Sequence, residues 1–160
     1  MKSLRKGLTV ILRVLGGGSF IIMVALTCWQ VFTRYILNQP STWSEELVGY
    51  IFAWMSLFGA CLVTGERGHM NIPILVDMAP GGVRKLLMCL GELIAFAFSA
   101  VILVYGGLQI TNLAMGQMTS SLGIAVGVFY VVMPVCGVIN MIYTVMNIAE
   151  ILSGKEQGAA

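Results

Sequence analysis

Uncharged apolar runs long enough to cross a membrane alternate along this chain with short polar or charged segments. The 19 residues from Leu47 to Gly65 carry no charge and are bracketed by Glu45 and Glu46 on one side and Glu66, Arg67 and His69 on the other. As a helix rising 1.5 Å per residue, this run is about 28 Å long, close to the thickness of a bilayer's hydrocarbon core. Val14 to Thr33 is a second uncharged run, of 20 residues, and Leu93 to Ala149 a third, of 57. The last is too long for one span and must fold back, and the polar stretch from Gly116 to Ser121 supplies the turn. Backbone groups in lipid have to be hydrogen-bonded within the protein, so each span is predicted to be a helix. The pattern therefore predicts an all-α integral membrane bundle of four transmembrane helices, one membrane domain over residues 1–160, with spans at 14–36, 45–65, 87–115 and 122–149. In the connection before the third span, Ile72, Leu75, Val76 and Met78 stand among polar neighbours. A short interfacial helix over 70–79, with Pro73 early and Pro80-Gly81-Gly82 ending it, is one reading of that segment and an irregular linker the other.

Composition supports the membrane assignment. Hydrophobic residues make up 58% of the chain and charged residues 10%, against about 25% charged in soluble domains. Lys2, Arg5, Lys6 and Arg13 precede the first run, and Arg67, Arg84 and Lys85 lie between the second and third, whereas the turn from Gly116 to Ser121 has no charge. Positive residues are retained in the cytoplasm, so both termini are expected there, with the turns near residues 38–45 and 116–121 on the opposite side. The net charge of +2 is used up by these topological positions, and no nucleic-acid partner is expected. The first apolar run exceeds the 7–15 residues of a signal peptide core, and Ala25-Leu26-Thr27 is a poor cleavage site, so an uncleaved first helix is expected.

The chemistry available is sparse. Cys28, Cys61, Cys89 and Cys136 have no CxxC spacing and read as small apolar thiols rather than a metal site or redox pair. A single histidine, His69, excludes haem held between two imidazoles of this chain. Neither a nucleophile–base pair nor a metal-ligand pattern is present; an enzyme and a bound cofactor are both unexpected. Glu92 and Asn140, with Asn147, are the candidates for polar pairing inside the membrane. Glu92 reads either as a carboxylate near the inner boundary, paired with Lys85, Arg84, Arg13 or a partner's base, or as a proton-coupled or cation-binding group, as in a homodimeric four-helix exporter. Gly49, Ala53, Ser56 and Ala60 recur at helical spacing on the second span, and Gly123 and Gly127 form a GxxxG pair opening the fourth. Such small residues let helices approach closely, either within the bundle or against a separate membrane subunit. Pro134 is expected to kink the fourth helix. Thr42-Trp43-Ser44-Glu45 fits a capping box, and Arg34, Trp43, Glu45 and Glu46 together form a charged, aromatic rim suited to docking a soluble partner.

These residues carry a resemblance to the small membrane subunit of tripartite ATP-independent periplasmic (TRAP) transporters, the DctQ-type family. It rests on Phe32 and Arg34-Tyr35, the Trp43-Ser44-Glu45-Glu46-Leu47 opening of the second span, Trp54, Phe58-Gly59-Ala60 and Arg67-Gly68-His69. It continues through the apolar stretch from Met70 to Val76 before Pro80, then Thr119, Leu122-Gly123 and Pro134, with Ala125 standing where a proline is expected. The resemblance implies a multi-pass protein of the bacterial inner membrane acting with two partners, a periplasmic substrate-binding protein and a large membrane subunit driven by a sodium gradient. It implies organic acid uptake in which this chain, surrounded by membrane lipid, braces the large subunit and helps dock the binding protein. A structural subunit of another membrane complex is the remaining alternative. No midplane charge, pair of broken helices or internal repeat marks a substrate site in this chain.

Overall fold

The computed structural model describes residues 2–66 and 81–153. The segment 67–80, with the expected interfacial helix and the Arg67-Gly68-His69 motif, lies outside the described residues. Helix α1 (Lys2–Tyr35) is followed by α2 (Thr42–Gly65) and α3 (Gly81–Phe98). The third helix runs on through a π-helical stretch, Ser99–Gly106, into α4 (Gly107–Ala114). After a turn come α5 (Gly127–Tyr130) and α6 (Val132–Leu152). Four helices among the described residues are long and apolar enough to cross a membrane: Ser3–Tyr35, Thr42–Gly65, Val83–Ala114 and Gly127–Leu152.

Spans 1 and 2 form one antiparallel hairpin and spans 3 and 4 another. Helix α2 lies between α1 and the fourth span, and the third span packs only along the fourth; no other pair of spans is extensively packed among the described residues. The core forms where the first, second and fourth spans converge, from Leu12, Phe58, Cys61, Cys136 and Tyr143, with Leu8, Trp54, Leu57 and Ile139 against it. All four cysteines are free thiols. Most apolar side chains of α1 point outward, as lipid or a partner requires.

Close approach between spans is set at particular glycines. A Cβ on Gly137 would stand 2.8 Å from the side chains of Leu103 and Val104 in the π-helical stretch, and one on Gly107 would stand 3.0 Å from the Pro134 ring. Intramembrane hydroxyls bond back to their own helices: Ser99 donates to the carbonyl of Ala95 (2.8 Å), Thr111 to Gly107 (2.6 Å) and Thr144 to Asn140 (2.6 Å), so none needs water.

Three local expectations are corrected. The fourth helix opens at Gly127, not at residue 122, because residues 115–126 form a hairpin-like turn with an antiparallel bridge between Met118 and Ala125. Gly123 sits in that turn at φ +66°, which glycine adopts without a Cβ penalty, so the GxxxG pair does not share a helix face. The break expected at Pro134 falls at Val131, before the proline; lacking an N–H, Pro134 cannot bond the Tyr130 carbonyl four residues back.

Candidate functional site

The end of the molecule away from the chain termini is built from two turns. Helix α1 stops at Tyr35, and Asn38 takes a left-handed φ of 50°, which its short amide side chain tolerates. The capping box expected at Thr42 is not formed. Ser41, in extended backbone, is the N-cap, while Ser44 is fully buried and donates to the Ser41 carbonyl (2.9 Å), its hydroxyl also meeting that of Ser41. This pairing of two serines across the first turn replaces the threonine–glutamate exchange and leaves Glu45 exposed.

The four expected rim residues all lie at this end but divide in role. Arg34 and Glu45 line one shallow recess with Gln30, Pro40 and Ser41. They do not form an ion pair with each other, unlike Arg5 with Glu150 and Arg13 with Glu66 at the opposite end. Trp43 is 41% exposed, in position for the interfacial belt or a partner. Glu46 is committed elsewhere: its carboxylate accepts the backbone N–H groups of Ser120 (3.2 Å) and Ser121 (2.9 Å), pinning the second turn to the start of α2. Nothing in local sequence signals a bond between residues 74 apart; only helix–helix packing creates it. The same turn is braced internally, with Thr119 Oγ1 accepting from the Ile124 N–H (2.9 Å). Below it, Trp54 Nε1 donates to the Phe129 carbonyl (2.8 Å) and Tyr50 stacks on Phe129 at 4.0 Å. Charge-assisted bonds to two amides hold the turn, so Glu46→Ala is expected to speed amide hydrogen exchange at Ser120 and Ser121 about tenfold, with Glu46→Gln in between. Unchanged exchange at both amides would refute that assignment.

The small residues Gly49, Ala53, Ser56 and Ala60 lie on the side of α2 opposite the buried Ile51 and Phe58, and all four are exposed. Packing within the bundle therefore does not use them, and a Cβ on Gly49 would meet nothing within 4 Å. Gly127 differs: it is buried against the turn-proximal end of the third span, at Thr111 and Met115.

At the opposite end, Glu92 is 2% exposed and so is not the hydrated, shallow carboxylate expected. Asn147 Nδ2 donates to its Oε1 at 2.8 Å. Arg13, one of its expected partners, instead pairs with Glu66 at 2.6 Å. Asn140 departs from the expected pairing too, its Oδ1 being buried without a hydrogen bond among the described residues. The amide that pairs is the one seven residues later on the same helix, because two helical turns bring Asn147 level with the end of α2. Among the described residues no group of His, Cys, Asp and Glu could hold a metal ion.

Residues 23–154 match the family model described as "Tripartite ATP-independent periplasmic transporters, DctQ component". The sialic acid TRAP transporter small permease protein SiaQ of Vibrio cholerae is 28% identical over 163 residues, 100% of this chain and 94% of the relative. The C4-dicarboxylate TRAP transporter small permease protein DctQ of the same species is 33% identical over 82 residues, 51% of this chain and 35% of the relative. The sialic acid TRAP transporter permease protein SiaT of Haemophilus influenzae is 24% identical over 127 residues, 79% of this chain but 20% of that longer relative. The relatives are transporter subunits, not enzymes. Matched from the middle of its first span to the end of its fourth, the chain belongs to the DctQ component family of TRAP transporters and is a small permease subunit crossing the bacterial inner membrane several times.

Proposed function

We propose that this small permease subunit braces a large transport subunit in the membrane and helps dock a periplasmic substrate-binding protein, in sodium-driven uptake of an organic acid. The observation that carries the bracing role is the exposed small-residue face of α2, Gly49, Ala53, Ser56 and Ala60, on the opposite side from the chain's own core. A face without bulky side chains brings two helix backbones close, and dispersion and weak hydrogen bonds then hold helices together in lipid. The match of this chain to one fifth of a much longer permease is in keeping with a small subunit working beside a large one. Sialic acid and C4-dicarboxylates, in the relatives' names, are both organic acids.

For the docking surface we propose the rim made by Arg34, Trp43 and Glu45, with Glu46 holding the neighbouring turn in place. Exposed charges of both signs beside an aromatic ring suit a transient contact steered by electrostatics. The distribution of Lys and Arg supports placing this rim in the periplasm and both termini in the cytoplasm. The test is gentle detergent extraction of the tagged chain from its native membrane. Recovery of a much larger, many-spanning protein in roughly equal amount is expected. Recovery of only a homodimer that moves cations in liposomes would overturn the reading.

A further inference from the structure

Asn147 is fully buried, and every bond of its amide plane crosses to another helix. Its Oδ1 accepts from the Arg5 guanidinium of α1 at 3.0 Å, and its Nδ2 donates to Glu92 of α3 at 2.8 Å and to the Thr64 carbonyl of α2 at 3.2 Å. The amide's orientation is dictated by its neighbours: a guanidinium can only donate, whereas a carboxylate and a carbonyl can only accept. Arg5 is spread over the same junction, reaching the Gly65 carbonyl through Nε (3.0 Å) and Nη2, and Glu150 through Nη1 (2.8 Å). Beside it, Thr9 and Tyr143 share a hydroxyl bond of 3.1 Å, with the Tyr143 ring lying where a Cβ on Gly65 would stand.

We propose that Asn147 is the keystone of a hydrogen-bonded lock, Arg5–Asn147–Glu92, that makes this end of the four spans one rigid body. Among the described residues the first and third spans share no extensive packing, and the third packs extensively only on the fourth. Close packing at Gly107, Gly127 and Gly137 fixes the third span on the fourth nearer the other end, but around Glu92 apolar contact competes with lipid tails for the same surface and the polar bonds are what hold the register. A carboxylate drawn out of that junction would lose a donor in a low-dielectric setting, so the cost of sliding is concentrated in one place. The lock is a property of the isolated chain and stands or falls independently of any docking partner.

The test is a donor–acceptor swap in the full-length chain, purified in mild detergent and followed by thermal unfolding and by the yield of monodisperse protein. Asn147→Asp keeps the acceptor toward Arg5 but turns the donor into a second carboxylate facing Glu92, and is expected to lower the apparent midpoint by about 5–10 °C. Glu92→Gln alone keeps an acceptor for Asn147 and is expected to stay within about 3 °C of the parent. Combined, the two changes restore one donor facing one acceptor, and at least half of the lost midpoint, or of the lost yield if the single variant does not survive purification, is expected to return. A double variant no better than Asn147→Asp overturns the lock, as does a single variant indistinguishable from the parent. Arg5→Lys, which keeps the charge that sets topology but not the fork that reaches three acceptors, is expected to lower the midpoint too; an unchanged midpoint removes Arg5 from the lock.

Discussion

Replacing Gly127 with alanine is expected to cost about 1–3 kcal/mol of stability, a lower unfolding midpoint and a smaller monodisperse fraction in detergent. The added Cβ would lie 2.7 Å from the Thr111 carbonyl oxygen and 2.8 Å from the Met115 backbone nitrogen. Those are main-chain atoms near the end of the third span and cannot rotate away as a flexible side chain would, so the two helices must separate to admit the methyl group. Separation there also strains the turn that Glu46 holds at Ser120 and Ser121. Gly17→Ala is the matched control: its Cβ would meet nothing within 4 Å, and alanine is the better helix former, so its midpoint is expected to be unchanged or slightly raised. Equal midpoints for the two variants would show that the fourth span does not approach the third as closely as described.

The second large effect is expected on assembly rather than on folding. Ala53→Leu combined with Ala60→Leu places two bulky side chains on the exposed face of α2, where the isolated chain has room for them. The variant is expected to purify with the parent's midpoint yet recover at least about tenfold less of the large subunit, because helices held by close backbone approach lose most of their contact when pushed apart. Full recovery of the partner would place the interface on another face.

The number and type of the spans were legible in the sequence because lipid imposes a strong rule: an uncharged run of about 20 residues has to be a helix. The fold-back near residues 116–121 could be read the same way, since Gln117, Thr119, Ser120 and Ser121 interrupt an otherwise apolar run. Boundaries were less legible. The fourth helix starts five residues later than its apolar pattern suggests, because Met118 pairs with Ala125 and Gly123 adopts a left-handed turn before the helix begins. Hydropathy is blind to that difference: Leu122, Ile124 and Val126 are as apolar in a turn as in a helix. The π-helical stretch at Ser99–Gly106 left no mark in the sequence either, since it changes the hydrogen-bond register and not the composition.

Of the rim, Arg34, Trp43, Glu45 and Glu46 could be picked out as polar residues at a span's end, and they do lie at one end of the molecule. That Glu46 binds backbone amides 74 and 75 residues away could not, because sequence neighbours say nothing of what lies across a helix interface. The same limit applies inside the membrane. Asn140 and Asn147 are equivalent as sequence, two amides in one apolar helix, yet Asn147 bonds three other helices while the side-chain Oδ1 of Asn140 meets no donor among the described residues.

By itself, then, the sequence determined that this is a four-span helical membrane protein, where its spans lie to within a few residues, and which transporter family it resembles. The spans follow from transfer of side chains and backbone out of water, a cost set residue by residue along the chain, whereas the family resemblance is carried by motifs such as Trp43-Ser44-Glu45-Glu46-Leu47. Only the tertiary structure decided that the small-residue face of α2 turns away from the core, that Glu92 is buried against Asn147, and that Glu46 ties the two hairpins together. These depend on the rotation and depth of one helix against another, which packing at positions such as Gly127 and Gly137 selects and no single segment encodes.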